Sequence, residues 1–312
     1  MRLFRIPRLI LIIVLIGVAS GLAQEQKTLR LLTIGNSFSN NASKYLPQML
    51  KSAKITASID RSASLGGRSL AQHLSYAQAY EKDPQGPTGR PYQGQRALQE
   101  ILQSQPWDFI TIQQVSHQSF NPDSFTPAIE LLKIIRKHAP QAEVIMHETW
   151  AYRKDSKSPV AASGEMYPRL HAAYQKWATE LGLRLLPVGT AFENASKDPR
   201  FPIEYTVPAD LSALQYPELP PSQNSLHVGY IWRKDKKNPD APPKLAHDAA
   251  HASVYGEYLG AAVWFEAIFG DVDKCTYAPP AIAPETAAVL RDIAKKTVAE
   301  CKAKDKPAPP QP

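Results

Sequence analysis

Between Lys27 and Val188 the chain alternates short aliphatic and β-branched runs with stretches of helical spacing, and this alternation restricts the fold more than any other feature. The strand candidates are Leu29–Ile34, Ile55–Arg61, Phe109–Gln113, Glu143–His147 and Leu183–Val188. Near-continuous apolar strands of this kind suit a parallel sheet covered on both faces. Helical patterns lie between them at Ser43–Ala53, Arg96–Gln103, Pro127–His138 and Met166–Leu181, the last ending at Gly182, a residue suited to a left-handed cap. Strand–helix alternation predicts the α/β class, a three-layer α/β/α sandwich with a mostly parallel central sheet.

After Val188 the alternation stops. Prolines at 202, 208, 217, 220, 221, 239, 242 and 243 exclude regular helix, so residues 196–246 read as a Pro-rich insertion. Within it Leu226–Arg233 is strand-like and Lys234–Pro239 reads as a turn. Helix is expected again over Ala249–Phe269 and Pro284–Lys302, followed by a Lys/Pro tail, 304–312, expected to be disordered.

At the other end, Arg2, Arg5 and Arg8 precede an apolar run, Leu9–Val18, and then Gly21-Leu22-Ala23. That is the pattern of a secretory signal peptide over residues 1–23. The run is shorter than the ~20 residues of a membrane span, so no stable membrane anchor is expected. The expectation is export to the periplasm or beyond the cell, with residues 24–303 as one domain.

Charge and cysteine content narrow the function classes. The chain has 36 Lys and Arg against 29 Asp and Glu; without the three leader arginines the excess is +4. It is scattered or held in short runs such as Arg233–Lys237, which is no nucleic-acid footprint. Cys275 and Cys301 are too few for a four-thiolate zinc site, and in an exported chain one disulfide is the default.

Two short segments carry candidate chemistry. The first strand ends in Thr33-Ile34-Gly35-Asn36-Ser37-Phe38-Ser39, a small polar turn at the strand's carboxyl end, where α/β folds hold ligands. Ser37 there is a nucleophile candidate or an N-cap. Far along the chain stands Asp248-Ala249-Ala250-His251, read as the opening of a helix. An Asp three residues before a His can accept from Nδ1–H and leave Nε2 free as a base.

Together these segments resemble the SGNH hydrolases, the GDSL-like serine esterases. Gly35-Asn36-Ser37 is similar to the family's nucleophile block, with Asn36 where Asp is usual, and Asp248 to His251 matches its Asp-x-x-His block. Leu65-Gly66-Gly67-Arg68-Ser69 is similar to the block whose glycine N–H serves the oxyanion hole, with Gly67 chosen and Gly66 as fallback. The resemblance implies an SGNH/flavodoxin-like sandwich and a serine esterase that needs no cofactor or metal. Its expected substrate is a small-molecule or carbohydrate ester, by O-deacylation of sugar. It implies Ser37 as nucleophile, His251 as base and Asp248 as its orienting acid, with Ser37 and Gly67 N–H groups in the oxyanion hole.

The chain departs from the family after the third strand, where many members carry Gly-x-Asn-Asp. Here Gln113-Gln114-Val115-Ser116-His117 follows. Gln offers the same amide donor as Asn on a longer stem. Neighbouring strand residues point to opposite faces, so one of the two can face Ser37. Gln114, nearer the edge, is the expected third donor, with Gln113 and His117 as fallbacks.

His147-Glu148-Thr149-Trp150-Ala151-Tyr152 follows the fourth strand. Trp150, Tyr152 and His117 are therefore candidate substrate-binding residues, the aromatics as sugar-stacking surfaces or as core packing. His227, Tyr230 and Trp232 are candidates for a cleft wall. His73, His138 and His171 read as surface or helix-end residues. Two other function classes stay open: a non-catalytic carbohydrate-binding descendant of the fold, and a zinc hydrolase using His247 and His251 at helical i, i+4 spacing.

Overall fold

The computed structural model describes residues 28–201, 210–220 and 225–304. The expected leader, nearly all of the expected tail and part of the Pro-rich insertion lie outside the described residues. The elements run β1 (Leu29–Ile34), α1 (Ser37–Ala42), α2 (Leu46–Ser52), β2 (Ala57–Asp60), α3 (Leu70–Lys82), α4 (Leu98–Gln103), β3 (Phe109–Ile112), α5 (Ala128–His138) and β4 (Glu143–His147). They continue with α6 (Pro159–Ala162), α7 (Met166–Leu181), β5 (Arg184–Leu186), α8 (Val188–Ser196), β6 (His227–Arg233), β7 (Lys244–Ala252), α9 (Val254–Trp264) and α10 (Pro284–Lys304).

Five strands form one parallel sheet in the order β2-β1-β3-β4-β5, with Leu31 opposite Phe109 and Ile34 opposite Ile112. Strand alternation sends Leu31 and Ile145 to one face and Leu32, Ile34, Ile110, Ile112 and Met146 to the other. The first face packs on α1, α2, α8, α9 and α10 through Phe38, Leu46, Val188, Trp264 and Leu290. The second packs on α3, α4, α5 and α7 through Leu70, Leu98, Leu131 and Tyr174. The molecule is thus an α/β/α sandwich. In this strand order the connections reverse direction between β1 and β3, opening a crevice at the carboxyl edge of the sheet.

Several expectations need correction. Helix starts at Ser37, not Ser43, because Asn36 caps it: the Asn36 side chain accepts from Phe38 N at 3.0 Å. Helix α8, for which the sequence pattern predicts no element, fills the stretch between β5 and the expected insertion. The segment from Ala249 extends β7 as far as Ala252, and Ser253 caps α9 one turn later than expected. β7 pairs antiparallel with β6, so the strand read at Leu226–Arg233 belongs to a two-stranded arm.

Cys275 and Cys301 do not form the expected disulfide. Cys275 packs in the first core layer and Cys301 against the second, so the sheet and its helices keep the two thiols apart.

His73 is fully buried, not on the surface, because α3 lays it against the turn after β1. Its Nε2–H donates to the Gly35 carbonyl at 3.0 Å, and its Nδ1 accepts from the Tyr92 hydroxyl at 2.8 Å. Burial lowers its pKa to about 4, against a smaller upward effect of the Gly35 bond. Burial likewise lowers His147 to about 3 and His227 to about 4. In the unfolded chain these imidazoles take a proton near 6.5. Between pH 6.5 and 4 the unfolded state therefore binds more protons, and stability falls as pH falls. The thermal midpoint is expected to drop steadily across that window, and His73→Gln to shallow the drop. A midpoint independent of pH from 6.5 to 4.5 would refute this reading.

Candidate active site

At the crevice between β1 and β3 the backbone of Gly35 meets two side chains. A Cβ on Gly35 would lie 2.5 Å from Ser39 Oγ and 2.9 Å from Gln113 Cγ, so no larger residue fits. This close approach allows a buried polar lattice beneath the nucleophile turn. Asn36 Nδ2 donates to the Arg68 carbonyl at 3.0 Å, and Gln113 Nε2 donates to Asn36 Oδ1 at 2.9 Å. Gln113 Oε1 in turn accepts a short bond from the Ser39 hydroxyl. Leu65 N donates to the Gly35 carbonyl at 2.9 Å, which draws the Gly66-Gly67 loop against the turn.

Ser37 is the first residue of α1, where no intrahelical partner exists for a backbone N–H. Its side chain is half-buried. Gly67 has φ +69°, the left-handed region that glycine enters without strain, and is exposed. Among the described residues neither N–H has a hydrogen-bond partner.

The β6–β7 arm brings the second half of the site. Gly229 pairs with Asp248 and His227 with Ala252, so Ala249–His251 bulge opposite the single residue Val228. A bulge bends the strand and re-aims its side chains. The result is a line of hydrogen bonds. His251 Nε2 lies 2.9 Å from Ser37 Oγ, and His251 Nδ1 lies 3.0 Å from each Asp248 carboxylate oxygen. An ionised carboxylate only accepts, so Nδ1 carries the proton and Nε2 accepts from the serine hydroxyl. Asp248 also accepts from the backbone N–H of His251 at 3.0 Å and of Ala250 at 3.3 Å. Burial alone would raise its pKa; the bonds from His251 and from these amides outweigh that and hold it well below the usual carboxylate range.

Arg233, across the arm on β6, donates to Asp248 Oδ2 at 2.5 Å. Sequence reasoning missed this residue. It lies in a cationic run that reads as a solvated turn, and only the β6–β7 pairing aims it at the acid. A second contact braces the arm: the buried Arg153 holds Asp155 with bonds of 2.9 and 2.7 Å, and its backbone N–H donates to the Ala249 carbonyl at 3.0 Å.

Other candidates stand elsewhere. Gln114 does not turn toward Ser37. Its Oε1 accepts from Val115 N at 2.7 Å and Leu70 N at 3.2 Å, and its Nε2 donates to the Ser124 carbonyl at 2.5 Å. Gln113 is committed to Asn36 and Ser39, and His117 is exposed beyond the strand end. Trp150 is 0% exposed and cannot stack on a sugar. It lies between Phe38, at 4.3 Å between ring centres, and Phe192, at 4.6 Å, and its Nε1 donates to the Ala250 carbonyl at 2.9 Å. Tyr152 is half-buried; its ring lies 6.5 Å from that of Phe38, and its hydroxyl pairs with Ser116 Oγ at 2.7 Å.

His227 donates to the Ala151 carbonyl at 2.8 Å, and Trp232 packs on Tyr216, away from His251. His247 stacks on Tyr230 at 4.6 Å and lies 3.3 Å from Asp155. The shared helix face that zinc binding by His247 and His251 required is absent, since both are on β7.

Trp150→Phe retains the ring stack and leaves the part-buried Ala250 carbonyl without its indole donor. It should lower unfolding free energy by about 1–3 kcal/mol in urea denaturation. An unchanged midpoint would show that the indole N–H does not hold the bulge.

Solved structures share this architecture. A DUF4886 family protein from Bacteroides uniformis is 24% identical, with a TM-score of 0.63 over 90% of this chain and 98% of that one. A protein from Slackia heliotrinireducens described with the SGNH hydrolases is 21% identical over 77% of this chain and 98% of its own. At a TM-score of 0.46 that likeness is too loose to carry weight. No curated protein matches the chain. The model of a family described as "Domain of unknown function (DUF4886)" matches residues 30–198, more than half of the chain, which therefore belongs to the DUF4886 family.

Proposed function

We propose that this protein is an exported serine esterase that removes acyl groups from carbohydrate. The observation that carries the reading is the continuous hydrogen-bonded line Ser37–His251–Asp248 at the carboxyl edge of the sheet. Fold alone would not support it, since one fold hosts many functions.

The chemistry follows from the donors and acceptors. Ser37 Oγ attacks the ester carbonyl as His251 Nε2 takes its proton. The imidazolium is stabilised by Asp248, and the carbonyl electron pair becomes an oxyanion. Collapse of the tetrahedral species breaks the C–O bond. His251 returns the proton to the leaving alcohol, and the acyl group stays on Ser37. Water, deprotonated by the same histidine, then releases the acid.

The backbone N–H groups of Ser37 and Gly67 are the oxyanion donors in this scheme. Two backbone amides suffice in serine proteases, so a third, side-chain donor is not required. Each is worth ~3–4 kcal/mol of barrier. Asp248 is bonded on several sides and can only accept, so its part is orientation and charge.

Carbohydrate as the alcohol rests on the leader pattern, on the implied family and on the setting of His251, whose side chain is 40% exposed and leaves room for a bulky leaving group. Short-chain aryl esters and acetylated sugars, given to the wild type and to Ser37→Ala, test the reading. Wild-type hydrolysis should fall at least ~10³-fold in a folded Ser37→Ala protein. Full activity in that variant would remove the serine mechanism. Binding of acetylated sugar without hydrolysis by the wild type would favour a non-catalytic carbohydrate-binding protein.

A further inference from the structure

Carboxylates around the candidate site each have a cation. Asp248 is held by Arg233, Asp155 by Arg153 through two bonds, and Glu257 by Lys44 at 2.6 Å. Two cations at the site have no such partner. Arg68 directly follows Gly67, and its carbonyl receives the Asn36 amide, which fixes it beside the nucleophile turn. Among the described residues its guanidinium meets no carboxylate and no hydrogen-bond acceptor. Lys157, on the loop after β4, is exposed and likewise unpaired. It lines a cleft of about 420 Å³ together with Tyr152, Ser156, Ser158, His247 and Asp248.

The arm extends the same imbalance. Lys234, Lys236 and Lys237 are exposed on the connection that follows Arg233, and Lys244 at the start of β7, against Asp235 and Asp240. A weak net charge for the whole chain thus becomes a local positive excess on the arm that carries Asp248 and His251. Such a field raises the local concentration of anions and is screened by salt. A guanidinium beside the oxyanion loop offers a planar fork for a carboxylate or phosphate, and an ammonium in the neighbouring cleft offers a point charge.

We propose that the ester taken by this site is carried on an anionic molecule, bearing carboxylate or phosphate groups, and that Arg68 and Lys157 bind those groups. This rests on the esterase reading above and names its substrate class. Charge then sorts substrates: the acyl group is shared by many esters, and the anionic carrier distinguishes the right ones.

The test compares kcat/KM for acetylated glucuronic acid, acetylated glucose 6-phosphate and acetylated glucose over a series of NaCl concentrations. The wild type should prefer at least one anionic ester about tenfold or more over the neutral one, with the preference shrinking as salt rises. Which anionic ester leads decides between carboxylate and phosphate. Arg68→Gln and Lys157→Gln should each reduce the anionic-to-neutral ratio several-fold, while Lys133→Gln, on the exposed face of α5, leaves it alone. Equal use of all three esters overturns the proposal and leaves the esterase reading standing. Failure to hydrolyse these and p-nitrophenyl acetate overturns the esterase reading. Calorimetric binding of glucuronic acid, glucose 6-phosphate and glucose to Ser37→Ala still decides the charge question, and equal affinities overturn it.

Discussion

The indole of Trp150 ties together parts of the chain more than two hundred residues apart. One ring face lies on Phe38, the neighbour of Ser37, and the other lies on Phe192 of α8, while the ring N–H holds the carbonyl next to His251. The spacing of Ser37 and His251 is therefore braced by one fully buried side chain of fixed size. Aromatic contacts of this kind contribute beyond the area they bury, and a shape-fitted core resists small displacements. Phe38 also lies 5.9 Å from the His251 ring, so the packing continues from the core to the edge of the site.

Beneath the nucleophile turn the structure keeps polar groups in the core and satisfies nearly all of them locally. Asn36, Gln113 and Ser39 exchange hydrogen bonds among themselves, and His73 holds the Gly35 carbonyl from α3. Burial makes such a lattice rigid, because an unmade bond there costs the full desolvation of the group. Among the described residues, Nε2 of His147 is one of the buried atoms without a hydrogen-bond partner, as is Nε1 of Trp264, on which the His147 ring stands edge-on. The same burial keeps His73 and His147 neutral. They can act as fixed donors and acceptors while the half-exposed His251 is the histidine within reach of Ser37.

Electrostatic matching extends outward from this core. Asp248 is paired with Arg233 from across the arm, and Arg153 holds the arm through the Ala249 carbonyl while its own carboxylate partner is Asp155. Among the described residues, Arg68 beside Gly67 and Lys157 in the cleft with Asp248 have no carboxylate partner. The β6–β7 arm thus supplies both the acid–base pair and part of the field around it. Among the described residues no helix is long and apolar enough to cross a membrane.

The sequence by itself determined the layered fold and singled out the turn that carries Ser37. Aliphatic alternation and helical spacing are local signals, and a small polar turn after the first strand has few other uses in a parallel sheet. It also marked the Asp248–His251 pair by its three-residue spacing, which a helical turn or a bulged strand brings within reach and a regular extended strand does not. Only the tertiary structure decided that this pair sits on a bulged strand, because the β-pairing of Asp248 with Gly229 joins segments with no local signature. It alone turned Gln114 away from Ser37 and toward Leu70 and Ser124, because side-chain direction at a strand end depends on which carbonyls and amides neighbouring loops present. It buried Trp150 in place of exposing it, and it separated Cys275 from Cys301 across the layers. In each case the deciding partner is distant in the chain, and its position exists only once the core has closed.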